Sequence, residues 1–213
     1  MTIQIGDIYK YNGQEYACLE KSNPGPFIPS EYGFQPSKVC TACLNGYWCE
    51  YEIADDRIIL QTLNIHDTNN CYPVINGVSI PSKEFSATLM EEDEEYDPTV
   101  EPRYWSTEKY KQLELVLPYT GKLLLGDYYI GCCYAALYES KELLSLEFDN
   151  GKLIGIEDYS ETAHMLRKVC KRSKKELNVH YIDDMELYDR LPEKTRSTLW
   201  WYDVKKERRA SFE

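Results

Sequence analysis

The sequence predicts an α+β protein: mostly antiparallel β-sheet over residues 1–157, followed by C-terminal helices over residues 158–213. Three observations carry this. Alternating apolar arms flank tight-turn dipeptides at Asn12-Gly13, Asp55-Asp56 and Asn150-Gly151. Past Asp158 the apolar period lengthens from two residues to three and four. Strands come first and helices last, an order that argues against alternating βαβ units.

The first arms are Ile8, Tyr9 and Tyr11 and then Tyr16, Ala17 and Leu19. They enclose Asn12-Gly13, the dipeptide that most readily places both turn centres at positive φ. Residues 23–36 hold Pro24, Pro26, Pro29 and Pro36 and cannot form regular sheet or helix. Phe27, Ile28, Tyr32 and Phe34 in this stretch require an ordered loop that buries them. A second hairpin runs through Trp48, Tyr51 and Ile53 to Asp55-Asp56 and returns through Ile58 and Leu60. A third runs through Leu144, Leu146 and Phe148 to Asn150-Gly151 and returns through Leu153, Ile154 and Ile156. The two look alike, and either an internal duplication or the shared grammar of hairpins accounts for that. Short helices are expected near residues 82–89 and 107–112, and residues 119–130 resume strand character.

An acidic insertion near residues 90–102 interrupts the sheet. From residue 91 it has six acids in seven positions, a density that resists packing. In the C-terminal part, Ala163, Leu166, Val169 and Cys170 mark the apolar face of a helix capped by Ser160. Its opposite face carries Arg167, Lys168, Lys171, Arg172, Lys174 and Lys175. Asp183-Asp184 reads as a helix start. Pro192 opens a further helix carrying Leu199, Trp200 or Trp201, and Val204. The helical segment is expected to pack on the β-rich core as one domain.

Composition narrows the function. At 213 residues, 43 % apolar and 28 % charged, the chain is globular rather than disordered. Its formal charge of −12 disfavours nucleic acid, except through the basic C-terminal helices, because phosphate contacts need clustered cations. The charge is also uneven: −5 over residues 1–90, −10 over 91–160 and +3 over 161–213. Asp7 and Lys10 interrupt any secretory signal, and the apolar stretches are far shorter than the ~20 residues of a spanning helix. A cytoplasmic protein without membrane contact or cofactor is expected. Its eight cysteines are then reduced thiols behaving as small hydrophobes.

Chemical motifs are sparse. There is no phosphate-cradling glycine loop, nucleophile elbow, paired-histidine zinc helix or calcium loop. Cys40-Thr41-Ala42-Cys43 has the gap of a zinc knuckle, with Cys49 and His66 as further candidate ligands, but no second close pair follows. The most enzyme-like spot is His66-Asp67 with Cys71, where a base, an acid and a thiol lie in one polar loop. This is the alternative to a binding function: a small hydrolase or transferase. His164, on the first C-terminal helix, is expected to be solvated.

The binding features are stronger. Tyr and Trp number 19 and 4 and are the types enriched at interface hot spots. The pairs Tyr47-Trp48, Tyr128-Tyr129 and Trp200-Trp201 would direct one ring outward from a strand. The acidic run Glu91, Glu92, Asp93, Glu94, Glu95, Tyr96 and Asp97, with Tyr128 and Tyr129, is the expected docking surface for a basic protein. In size, acidity, β-rich patterning and absence of catalytic motifs the chain resembles the immunity proteins with which bacteria neutralise polymorphic or contact-dependent toxins. That resemblance implies an inhibitor that binds a toxin domain, such as a nuclease, and holds it inactive. It transfers no residue roles.

Overall fold

The computed structural model describes residues 4–79, 107–127, 140–177 and 184–211. Nine strands appear in chain order: β1 (Ile8–Tyr11), β2 (Gln14–Lys21), β3 (Tyr47–Ala54), β4 (Arg57–Ile65), β5 (Glu108–Tyr110), β6 (Leu115–Val116), β7 (Gly121–Gly126), β8 (Leu143–Asp149) and β9 (Lys152–Asp158). Seven of them, in the order β3-β1-β2-β7-β8-β9-β4, close on themselves through the β3–β4 pairing into a mostly antiparallel barrel. C-terminal helices follow, so the architecture is α+β.

Each expected hairpin is present, and the turn chemistry explains why. Asn12 and Gly13, Asp55 and Asp56, and Asn150 and Gly151 all sit at positive φ, the geometry whose twist matches the flanking strands. The second and third hairpins both contain a bulge, at Glu50/Tyr51 and at Glu147/Phe148. Their turns bond to each other. Ile58 N–H donates to the Gly151 carbonyl (3.2 Å), and Leu153 N–H donates to that of Asp56 (2.7 Å). Gly151 is required here: its φ is +80°, and a Cβ would collide with the Leu117 carbonyl. The barrel thus closes where two turns meet, and β4 and β9 share only the register position Arg57–Lys152.

One pairing is parallel. Strand β1 lies between β2 and β3 and runs with β3, Tyr9 opposite Tyr51. Those rings stack 4.7 Å apart inside the barrel, a cross-strand aromatic pair of the kind that stabilises sheets. The Pro-rich loop is ordered and buries Phe27 and Phe34 through a single 3-10 turn at Pro29–Tyr32. Phe27 stacks on Tyr32 and meets Tyr47 edge-on, and Phe34 meets Tyr110.

Helices α1 (Ser160–Leu177), α2 (Asp184–Asp189), α3 (Glu193–Arg196) and α4 (Trp200–Ala210) follow; α1, α2 and α4 build a second core outside the barrel wall, to which α3 contributes no buried side chain. Strand alternation allots the side chains. Leu123 and Leu125 face the barrel, whereas Leu124 joins Leu143, Ala163, Leu166, Cys170, Leu199 and Trp201. Trp200 donates its indole N–H to Ser145 Oγ on β8 (2.9 Å), and Tyr159 packs edge-on against Trp201.

Three local expectations are corrected. Residues 107–112 are not a helix: β5 pairs with the free edge of β4, and that long-range contact overrides a weak local preference. Ser160 is not the cap of α1. The Asp158 carboxylate accepts from Ser160 N–H (2.8 Å) and Oγ (2.5 Å), while Ser160 Oγ accepts from Leu143 N–H. Finally, Pro192 opens only the short α3. The chain then breaks at Leu199, and α4 starts afresh. The helix expected near 82–89 lies outside the described residues. Asp184 does begin a helix, and His164 is exposed.

Candidate binding surface

The interior of the barrel is filled. Tyr9, Tyr51, Tyr110, Phe148, Leu60, Leu63, Leu123 and Leu146 are among the side chains that pack it. Its polar groups are deeply desolvated: burial pushes the Cys18 thiol up to about 12, against the opposing pull of Lys21. Such a thiol is protonated at neutral pH and a poor nucleophile. Burial also raises Asp7, whose carboxylate accepts from Cys49 N–H at 2.8 Å.

Concavity lies outside, on the outer faces of β1, β3, β4 and β5. There a cleft of about 480 Å³ is lined by Lys10, Glu50, Glu52, Gln61, Thr62, Lys109 and Lys111, among others. A smaller hollow of about 230 Å³ at the first hairpin shares Lys10 and Glu52 with it. Barrel alternation explains the lining: Cys49, Tyr51 and Ile53 face inward, so Glu50 and Glu52 face out. Sheet register then aligns charges across three strands. Lys10 stands opposite Glu15 on β2 and Glu52 on β3, and its ammonium is 3.3 Å from Glu15 Oε1. Gln61 donates to Glu52 Oε2 (2.7 Å) and Thr62 to Glu50 Oε2 (3.3 Å).

The rim is set by a bent strap joining β5 to β6. Gln112 and Glu114 are both left-handed (φ 55° and 45°), flanking Leu113, which is buried in the barrel core. Asn76 Nδ2 holds the strap by donating to the carbonyls of Leu113 and Glu114. Two non-glycine residues at positive φ store strain, offset here by the burial of Leu113. The cleft has lysine donors and carboxylate acceptors and no histidine or thiol. It can recognise charged groups through hydrogen bonds and ion pairs.

The sequence-based candidates fare differently. Glu91, Glu92, Asp93, Glu94, Glu95, Tyr96, Asp97, Tyr128 and Tyr129 lie outside the described residues. His66, Asp67 and Cys71 do share one loop, but Asp67 is committed to its architecture. Its carboxylate accepts backbone N–H groups from Gln35, Asn69 (2.9 Å) and Cys71 (3.0 Å). Burial works against this charge, but the three donors outweigh it and hold the carboxyl below its usual range. The zinc candidates are not brought together. Cys40 and Cys43 face each other across a tight turn through their backbones, whereas Cys49 belongs to the barrel core. Among the described residues no three His, Cys, Asp or Glu side chains form a metal-holding group. Of the paired aromatics, Tyr47 packs on the barrel core, Trp48 is half-buried, and Trp200 and Trp201 both enter the helical core.

The cleft residues carried no motif in the sequence. Their outward position could be read from strand alternation, but the meeting of Lys10 with Glu52 depends on the parallel β1–β3 pairing, which nothing local signals. Comparison with protein-family models, curated proteins and solved structures gives no match. No described helix is long and apolar enough to cross a membrane.

Proposed function

We propose that this chain is a non-enzymatic protein-binding inhibitor of the immunity type, and that the cleft over β1, β3, β4 and β5 forms part of its docking surface. The observation that carries the proposal is the ordered charge row Glu15–Lys10–Glu52 across three strands, placed on a concave face of the barrel. Alternating charges on a rigid wall favour a partner segment with the complementary pattern and penalise others, which is how charge supplies specificity. The acidic run at residues 91–97 would add long-range attraction for a basic toxin domain such as a nuclease. The enzyme alternative at His66, Asp67 and Cys71 is weakened because the Asp67 carboxylate already serves three backbone donors.

The test is affinity capture from the native host, followed by charge reversal at the cleft (Glu50→Lys with Glu52→Lys) and, separately, at residues 91–97. A one-to-one partner is expected, with affinity falling at least about tenfold when the cleft charges are reversed, the effect of one lost charge-assisted contact. Affinity unchanged by the cleft variant removes the cleft from the docking surface. Affinity unchanged by both leaves the binding reading without its surface.

A further inference from the structure

Helix α1 buries one face, through Ala163, Leu166 and Cys170, and leaves the other to solvent. At about 3.6 residues per turn the opposite face is centred on Lys168 and Lys175, with His164, Lys171 and Arg172 beside them. All five are exposed. His164, Lys168, Lys171 and Lys175 follow one another at steps of four, three and four residues, a straight row with one group every ~5.5 Å. Arg172 is paired with Glu176 at 2.7 Å. No carboxylate lies within ion-pair distance of Lys168, Lys171 or Lys175 among the described residues. The row works against the fold rather than for it. Lys168 with Lys171, Lys171 with Lys175, and Lys168 with Arg172 are like charges at the spacings that oppose helix formation. The helix dipole favours cations in the last turn, which accounts for Lys174 and Lys175 but not for Lys168 and Lys171. Nor does the row serve solubility, since in a chain of formal charge −12 added cations bring the net charge nearer zero.

The chemistry of the row selects its ligand. Protein interfaces are anchored by apolar and aromatic side chains and are depleted in lysine. No apolar side chain stands among these lysines, and Leu177, exposed at the helix end, falls on the core side by helical phase. A helix lying in a membrane surface turns its apolar face to lipid, whereas that face of α1 is packed into the second core. Single-stranded nucleic acid is held by ring stacking as well as by charge, and the row has no aromatic ring. A duplex backbone, by contrast, is bound by cations alone.

We propose that the exposed row of α1 binds the phosphate backbone of a nucleic-acid duplex through Lys168, Lys171 and Lys175, without regard to base sequence. The strand order β3-β1-β2-β7-β8-β9-β4 puts β8, against which α1 packs, across the barrel from β1 and β3. The row and the cleft therefore face opposite ways, and neither depends on the other for its ligand. The acidic remainder of the chain repels a polyanion, so the binding is weak and α1 is the side turned to the duplex.

The test is fluorescence anisotropy of a labelled DNA duplex titrated with the full chain, from about 20 mM salt upward; three phosphate contacts should give log K against log salt a slope of about −3. Each of Lys168→Gln, Lys171→Gln and Lys175→Gln should reduce that slope by about one. The triple variant should bind at least about tenfold more weakly at the lowest salt. Glutamine matches lysine as a helix former, so circular dichroism should not change. Lys38→Gln, the same change of charge at an exposed loop position, should leave the slope as it was. No binding at the lowest salt overturns the proposal. Binding that Lys38→Gln weakens as much as the α1 variants do reports overall charge, and overturns it too. Binding to phosphatidylserine vesicles without binding to the duplex assigns the row to a membrane and overturns it equally.

Discussion

Arg208 on α4 places Nη1 2.6 Å from Oε1 of Glu20 on β2, and its Nη2 donates to the Lys21 carbonyl at 3.0 Å. Glu20 is buried and Arg208 is half exposed. The contact therefore fastens the last helix to one of the first strands, with the buried carboxylate as its vulnerable member. Arg208→Ala removes the cation from that carboxylate and leaves it the Lys21 N–H at 3.1 Å, and unfolding free energy should fall by about 1–2 kcal/mol. Lys206→Ala, on the exposed side of the same helix, should change it by less than about 0.5 kcal/mol. Urea denaturation measures both, and hydrogen exchange should show α4 opening first in the Arg208 variant.

Gly151 tests the closure of the barrel. Any Cβ there meets the Leu117 carbonyl at a φ of +80°, and both the strain and the collision fall at the meeting of the two turns. Gly151→Ala should cost about 2–4 kcal/mol. Gly13→Ala, with the same sign of φ but open space around it, should cost only about 1 kcal/mol. Equal losses for the two in thermal denaturation would mean that the contact at Leu117 contributes nothing.

Asp67 separates architecture from chemistry. Asp67→Ala leaves three N–H groups unserved and should destabilise by about 3 kcal/mol, with proteolytic nicking near residues 67–71. His66→Ala should leave partner affinity unchanged, because the imidazole is outside the cleft. A binding loss with His66→Ala and no change in stability would return that loop to consideration as a functional site.

Acid should unfold the protein for identifiable reasons. The two Ser160 bonds hold Asp158 below its usual range. Asp67 is lowered too, its three backbone bonds overcoming burial. Both carboxyls bind protons more weakly folded than unfolded. Their contribution is therefore complete above the unfolded value of about 4 and is lost as pH falls through the lower folded values. Asp7 runs the other way: raised by burial, it loses stability as pH rises through its folded value. The melting temperature should drop steeply below about pH 4. Asp158→Asn with Asp67→Asn should flatten that limb while lowering the plateau at neutral pH.

What the sequence revealed follows how local each feature is. Three hairpins were legible because Asn12-Gly13, Asp55-Asp56 and Asn150-Gly151 each encode their own turn. The helical layer was legible in the spacing of Ala163, Leu166 and Cys170. Closure was not, since it depends on two turns meeting over a long chain separation. Strand β5 was misread because Glu108, Lys109 and Tyr110 become a strand only when β4 presents an edge. The cleft escaped notice for a related reason: Lys10 and Glu52 are ordinary surface charges until β1 and β3 run parallel. The acidic run, conspicuous in the sequence, lies outside the described residues.

The single Arg57–Lys152 position also sets the timetable of folding. During synthesis the first four strands emerge together, yet the edge of β4 cannot be joined to β9 until more than half of the remaining chain has followed. Contacts of such long sequence separation form late and slowly. For that interval a nascent chain carries an unclosed sheet whose next strand has not yet been made. Chaperone demand and aggregation during expression should therefore concentrate on truncated products that end before the Asn150-Gly151 turn.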